Sequence, residues 1–203
     1  SGDHVLPTYD TSFSWLPNDL LRFDVGSSRS TFDNEESLRQ GLTAVYANAS
    51  MDVRPNELTR VTTRFNWGDY SDGNERTWWQ FEAERRVWHH PRVSTGFRYT
   101  GFDFAESEQN GYFNPNRYHS NEVLLRVSDR VGEKLRWYLE GSGGWEIQSP
   151  GSDKPIWSAG ASLAYPIVRS LEVEVAYDFF SSRTAGSSGF GRGTGRVPLR
   201  QVF

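Results

Sequence analysis

Ser170–Phe180 reads SLEVEVAYDFF, with apolar and acidic residues alternating almost one for one. A period of two marks a strand with one dry face and one wet face. Two opposite architectures share that pattern. With Leu171, Val173, Val175, Tyr177 and Phe179 packed into a core, the strand belongs to a soluble sheet. With the same residues turned toward lipid, Glu172, Glu174 and Asp178 line the lumen of a membrane pore.

The chain has 203 residues, the size of one ample domain or at most two small ones, and a net charge of -4. That balance gives no reason to expect a nucleic-acid partner. The sequence has no cysteine, which removes disulfides, thiolate metal sites and cysteine nucleophiles from consideration. No apolar run approaches the ~20 residues of a spanning helix, and no basic-then-apolar targeting segment opens the sequence. A transmembrane barrel stays open, because its strands are only half apolar. Aromatic residues are abundant, with eight Trp, nine Tyr and thirteen Phe. They suit either a sheet-rich core or the interfacial girdles of a barrel.

Working outward from the opening stretch, the alternation predicts ten strands after an N-terminal lead over 1–18, with a barrel domain over 19–203. The strands fall near 19–28, 38–53, 58–68, 76–88, 92–104, 118–129, 134–148, 156–165, 170–180 and 196–203. Pro198 weakens the last of these, since proline cannot donate to a ladder. Tight links follow the second, fourth, sixth and eighth strands, as in His89-His90-Pro91. The remaining links are longer and polar, and Ser181–Gly195 is rich in Ser and Gly. Alternating short and long links are the layout of an up-and-down outer-membrane barrel with short periplasmic turns and long extracellular loops. A soluble lipocalin-like barrel has apolar residues inside instead. The long apolar segments, the small residues among the charges and the apolar strand ending on Phe203 favour the membrane form. The fold class read from sequence is all-β: an antiparallel up-and-down transmembrane β-barrel of about ten strands.

The polar faces carry the chemistry. Arg60 and Arg64 lie on the third strand, Glu82, Glu84 and Arg86 on the fourth, and Arg98 on the fifth. Glu122 and Arg126 lie on the sixth, Arg136, Glu140 and Glu146 on the seventh, and Glu172 and Glu174 on the ninth. Opposite charges on neighbouring strands predict cross-strand ion pairs. They would either hold a narrow lumen together or form a wet path for a hydrophilic solute. The four histidines show no metal-ligand spacing, so no metal and no cofactor is expected. His89 and His90 read as exposed turn residues. His119, Ser120 and Glu122 offer an alternative from another class, a small outer-membrane hydrolase with its site at the extracellular rim. A plugged structural or adhesive barrel is a third reading. The Gly-rich stretch 186–193 has no following helix to bind phosphate and reads as a loop.

Two stretches go beyond general barrel character: Tyr70–Asn74 (YSDGN) and Gly111–Tyr118 (GYFNPNRY), preceded by Gly96-Phe97-Arg98-Tyr99. Together they resemble the C-terminal barrels of bacterial exopolysaccharide export porins of the cellulose, poly-N-acetylglucosamine and Pel type, over about 56–165. The resemblance implies a passive, non-enzymatic exporter in the bacterial outer membrane, with lipid and a polysaccharide polymer as partners, and periplasmic or inner-membrane synthase and export components beyond them. It also implies that Tyr112, Phe113, Pro115 and Tyr118 belong to a pore-mouth loop whose aromatics stack on sugar rings or anchor the loop at the interface. The chain departs from that family in lacking helical repeats and in offering fewer strands.

Overall fold

The computed structural model describes residues 8–31, 41–107, 115–132, 134–149, 151, 153–168, 171–182, 190–196 and 199–201. Among these residues there is no helix, and none long and apolar enough to cross a membrane. The strands are β1 (Tyr9–Asn18), β2 (Leu21–Thr31), β3 (Thr43–Asn56), β4 (Thr59–Tyr70), β5 (Glu75–Trp88) and β6 (Arg92–Phe104). They continue with β7 (Arg117–Val131), β8 (Leu135–Ser149), β9 (Lys154–Val168), β10 (Leu171–Ser182), β11 (Phe190–Arg196) and β12 (Leu199–Gln201). Hydrogen bonding follows chain order from β1 to β11, the signature of an antiparallel meander. β12 also pairs with β10. Ala176 faces Arg196 and Val173 faces Leu199, so β11 and β12 keep one register along β10 and act as one interrupted strand.

Two expectations change. Tyr9–Asn18, expected as lead, is a strand paired to β2 from Tyr9↔Arg29 to Asn18↔Leu21. The Ser/Gly-rich link also ends early, because residues from Phe190 onward pair with β10. The fifth predicted strand coincides with β6, and most others grow by one to three residues at an end. That growth leaves only positions 71–74 and 150–153 between strands where longer loops were expected. The tight connections, at 19–20, 57–58, 89–91, 132–134 and 169–170, all follow odd-numbered strands.

Two of these turns share one local mechanism. In Pro17-Asn18-Asp19-Leu20 and Pro55-Asn56-Glu57-Leu58, the asparagine Oδ1 accepts the backbone N–H two residues on, at 2.9 and 3.0 Å. This is an Asx turn, which asparagine favours by bonding its own following backbone. Next to each turn the register slips by one residue, between Trp15 and Asn18 and between Val53 and Asn56. The N–H of Arg54 then donates to the Leu20 carbonyl at 2.7 Å, joining one turn to the next.

Backbone packing divides the chain into two compact units. The first comprises Ser1–Ala83, Tyr99–Ser120 and Ile147–Asp153, and the second Glu84–Arg98, Asn121–Glu146 and Lys154–Phe203. In both, the two faces of the strands are inverted relative to a soluble protein. In the first unit Phe13, Val25 and Phe65 are exposed, while Thr43, Asn74 and Ser120 are buried. In the second, Val123 is 63% exposed, whereas Glu146 keeps 1% of its surface. Acidic side chains are almost never fully buried while neighbouring valines and leucines face out, unless the outside is lipid. The strands of 11 to 15 residues from β2 to β10 also exceed the ~9–11 needed to cross a bilayer.

Candidate functional site

The site is the covered polar face. In the second unit its centre is Arg126 on β7. The guanidinium bonds Glu140 on β8, Nε to Oε2 at 2.7 Å, and reaches back across β6 to the Glu84 carboxylate on β5. Arg98 on β6 lies 3.5 Å from the other oxygen of Glu140. The Tyr138 hydroxyl donates to Glu140 as well. Four successive strands are thus laced by two arginines and two glutamates. Further along β8, Ser142 donates to Glu122 at 2.6 Å and lies 2.7 Å from the Ser158 hydroxyl. The pairs keep side-chain exposures of 18–23%, which leaves each guanidinium and carboxylate in partial reach of water.

Nearer the tight turns of the same unit, a recess of about 640 Å³ is lined by His89, His90, Arg92, Asp129, Arg136 and Glu174, among others. Both histidines are exposed.

In the first unit the face is built from amides and smaller charges. Asp52 on β3 accepts from Arg60 at 2.5 Å and from Thr62 at 3.0 Å, and lies 3.3 Å from Arg54. Arg64 donates to Gln80 at 2.8 Å, and Gln80 donates to Thr100 at 3.2 Å. Near the long-loop ends the same face turns aromatic. Tyr70 and Phe104 are buried and meet edge to face at 5.6 Å, and Tyr46 meets Tyr70 at 6.1 Å. Offset and edge-to-face contacts of this kind are the favoured ring geometries.

The predicted lumen residues therefore divide by environment. Glu84, Arg98, Glu122, Arg126 and Glu140 are drawn into contact with one another or with serine hydroxyls. Glu82, Arg86 and Glu174 are half-buried, and Arg60, Arg64 and Arg136 are more exposed. Glu172 pairs with Pro166 and Arg200 along the backbone, and its side chain lies outside the description. Of the predicted pore-mouth residues, Tyr112 and Phe113 lie outside the described residues. Pro115 is buried. Tyr118 is the second residue of β7, 8% exposed, and stacks on Phe102 at 4.5 Å.

The His119–Glu122 pair of the hydrolase alternative is not assembled. His119 and Glu122 sit three positions apart on β7, so they point to opposite faces. His119 bonds the Tyr99 hydroxyl through Nδ1 at 2.7 Å and stacks on that ring at 5.8 Å, while Glu122 takes its hydrogen bond from Ser142.

YSDGN, one of the two family-like stretches, is a structural clamp. Gly73 has φ +88°, a conformation that favours glycine. Asp72 accepts from the N–H of Asn74 at 3.1 Å. Asn74 is fully buried, donates to the Glu106 carbonyl at 2.9 Å and accepts the Glu106 N–H at 2.9 Å. The side-chain amide thereby imitates a strand neighbour and ties this turn to the end of β6.

The PgaA membrane β-barrel domain family matches residues 11–136, more than half of the chain. The chain belongs to this family. Membership places it among membrane β-barrels of the bacterial outer membrane, as the alternation and the loop layout led us to expect. The match begins inside β1 and ends at the start of β8, earlier at both ends than the 56–165 span of the resemblance. No curated protein sequence matches the chain. Among solved structures, a bacterial polysaccharide outer membrane secretin is similar at 17% identity, with a TM-score of 0.83, covering 98% of this chain and 70% of its own. The translocator domain of the autotransporter NalP from Neisseria meningitidis is similar at 17% identity and a TM-score of 0.53, covering 97% of this chain and 79% of its own. At these identities both establish the fold alone. Neither the family nor these two structures is described as an enzyme.

Proposed function

We propose that this PgaA-type barrel exports a polysaccharide across the outer membrane, and that its covered Arg/Glu face lines a wet path that conducts the polymer without chemistry. The observation that carries the reading is the inversion of faces, with Glu146, Ser120 and Thr43 covered and Val123, Leu125 and Trp157 exposed. A polar wall of this kind replaces the hydration shell of a hydroxyl-rich chain with fixed donors and acceptors, so the polymer crosses without entering hydrocarbon. The paired charges suit passage better than isolated ones. Arg98 and Arg126 are already neutralised by Glu84 and Glu140, so this part of the wall offers hydrogen bonds without binding a polymer too tightly to release it. The polysaccharide named for the 17%-identical secretin fits this wall and supplies the substrate class. Synthase and periplasmic export components are the partners such a conduit requires.

Purified protein in a planar bilayer tests the path. Discrete ion conductance is expected, transiently reduced when a polysaccharide is added to one chamber. Folded protein that inserts into the bilayer and carries no current would overturn it.

A further inference from the structure

The ion-paired face of the second unit is filled by long side chains, but in the first unit the strands carry small ones. Ser12 on β1 lies opposite Gly26 on β2, and Ser50 on β3 lies opposite Asp24, two residues from Gly26. Beside them lies a recess of about 310 Å³, lined in addition by Asp10, Asp24, Asn48, Arg64, Asn66 and Trp78. We propose that this recess is a binding subsite for one uncharged pyranose unit, with Trp78 as the stacking platform. The inference rests on the export reading for its polymer and goes beyond it in naming where and how a sugar is held.

Three features point to that ligand. First, hydrogen-bonding capacity is left over. Asn66 Nδ2 donates to Asn48 Oδ1 at 2.6 Å, and Asn66 Oδ1 accepts from Arg76 at 2.8 Å. That leaves the Asn48 amide N–H groups, one N–H of Asn66 and most of the Arg64 guanidinium without partners among the described residues. Asp10 likewise makes no side-chain hydrogen bond among the described residues, so acceptors stand beside the donors. Sugar hydroxyls both donate and accept, and they match such a mixed set. Secondly, Trp78 presents a large apolar ring among these polar groups, the combination that holds the C–H face of a pyranose while its rim is hydrogen-bonded. Thirdly, the charge balance argues against an acidic sugar. The lining carries two carboxylates, Asp10 and Asp24, against one cation, Arg64, so an acidic sugar meets no net positive charge there.

The test is a calorimetric titration of the folded chain in detergent with cellopentaose, an uncharged β-linked oligomer, and with an oligogalacturonate of equal length. The neutral oligomer should bind, and the carboxylated one at least tenfold more weakly. Trp78→Ala should weaken the neutral oligomer tenfold or more, Trp78→Phe should retain most of its binding, and Asn48→Ala should lower it severalfold. Equal binding of both oligomers, or unchanged affinity in Trp78→Ala and Asn48→Ala, would overturn the subsite. Conductance of the same preparations separates the two readings. Conductance without sugar binding sinks the subsite alone, and sugar binding that responds to Trp78 without conductance upholds the subsite and sinks the open path.

Discussion

Arg126 and Glu140 face each other across β7 and β8 at 2.7 Å, and the same guanidinium also holds Glu84 two strands away. One cation therefore bridges two partly buried carboxylates. Removing it takes that cation from the partly buried Glu84 and leaves Glu140 with Arg98 at 3.5 Å. Breaking a fully buried pair costs about 3–5 kcal/mol. Here the partners keep 22–23% of their side-chain surface, so Arg126→Ala should cost about 2 kcal/mol. The urea midpoint of the protein folded in detergent checks this. The double change Arg126→Met, Glu84→Gln should recover most of the loss, because Glu84 is then neutral and Glu140 keeps Arg98 at 3.5 Å. A midpoint unmoved by Arg126→Ala would show that the network is not holding β5 to β8.

The Asn74 clamp predicts a local effect. Its amide makes both bonds to the Glu106 backbone in a fully buried position, and an unsatisfied buried backbone pair costs about 1–3 kcal/mol. Asn74→Ala should therefore speed hydrogen exchange at the N–H of Glu106 while leaving that of strand residues such as Leu124 unchanged. It should also make the bond after Arg76 more susceptible to trypsin. Asn74→Asp keeps the acceptor and loses the donor, so it should fall between the two.

How far the sequence discloses this molecule depends on which signal each segment carries. β6 is legible to the residue because Val93, Thr95, Phe97 and Tyr99 alternate cleanly with smaller or charged neighbours. β1 was missed because Ser, Thr and Pro dilute its alternation, yet its turn repeats the Pro-Asn-acid-Leu motif of 55–58, and a hairpin turn requires a strand on each side. β11 looked like a loop because glycine dominates it. The glycines recur at 191, 193 and 195, and Gly195 and Gly193 fall opposite Tyr177 and Phe179. A small residue facing a large ring is itself a strand signal. The charged residues were legible as a face, but not their pairing. Neighbouring strands sit about 4.8 Å apart, and adjacent-strand logic predicts Arg126–Glu140, while Arg126–Glu84 and Arg98–Glu140 each skip a strand. Side chains as long as arginine and glutamate make such contacts, and no spacing in the sequence encodes them. The Trp78 recess escaped for the opposite reason, since it is made by the smallness of Ser12, Gly26 and Ser50.

Gly101 and Trp79 form a fitted pair. A Cβ at Gly101 would lie 2.5 Å from the Trp79 ring, which must then move. The ring also lies 6.0 Å from that of His119, so its displacement disturbs a packed aromatic group. Overpacking of this kind costs about 1–3 kcal/mol. Gly101→Ala should lower the urea midpoint accordingly, and adding Trp79→Leu should restore part of it, because the smaller side chain clears the site. Strict additivity of the two losses would mean that the ring and the glycine are not packed together.

The assignment of faces is tested on β10, where Val175 is half exposed and its neighbours Glu174 and Ala176 are covered. Under the membrane reading Val175 touches hydrocarbon near the middle of the strand. An arginine on the lipid face near the bilayer midplane costs about 2–4 kcal/mol. Val175→Arg should therefore reduce the fraction that folds into phospholipid vesicles, read as the heat-modified band on an unboiled gel. Glu174→Gln removes a charge from the covered face and should fold as well as the parent. The soluble-sheet alternative requires the reverse: with lipid absent, arginine at an exposed position is harmless. Normal insertion of Val175→Arg together with failure of Glu174→Gln would turn the sheet inside out and remove the basis for any pore.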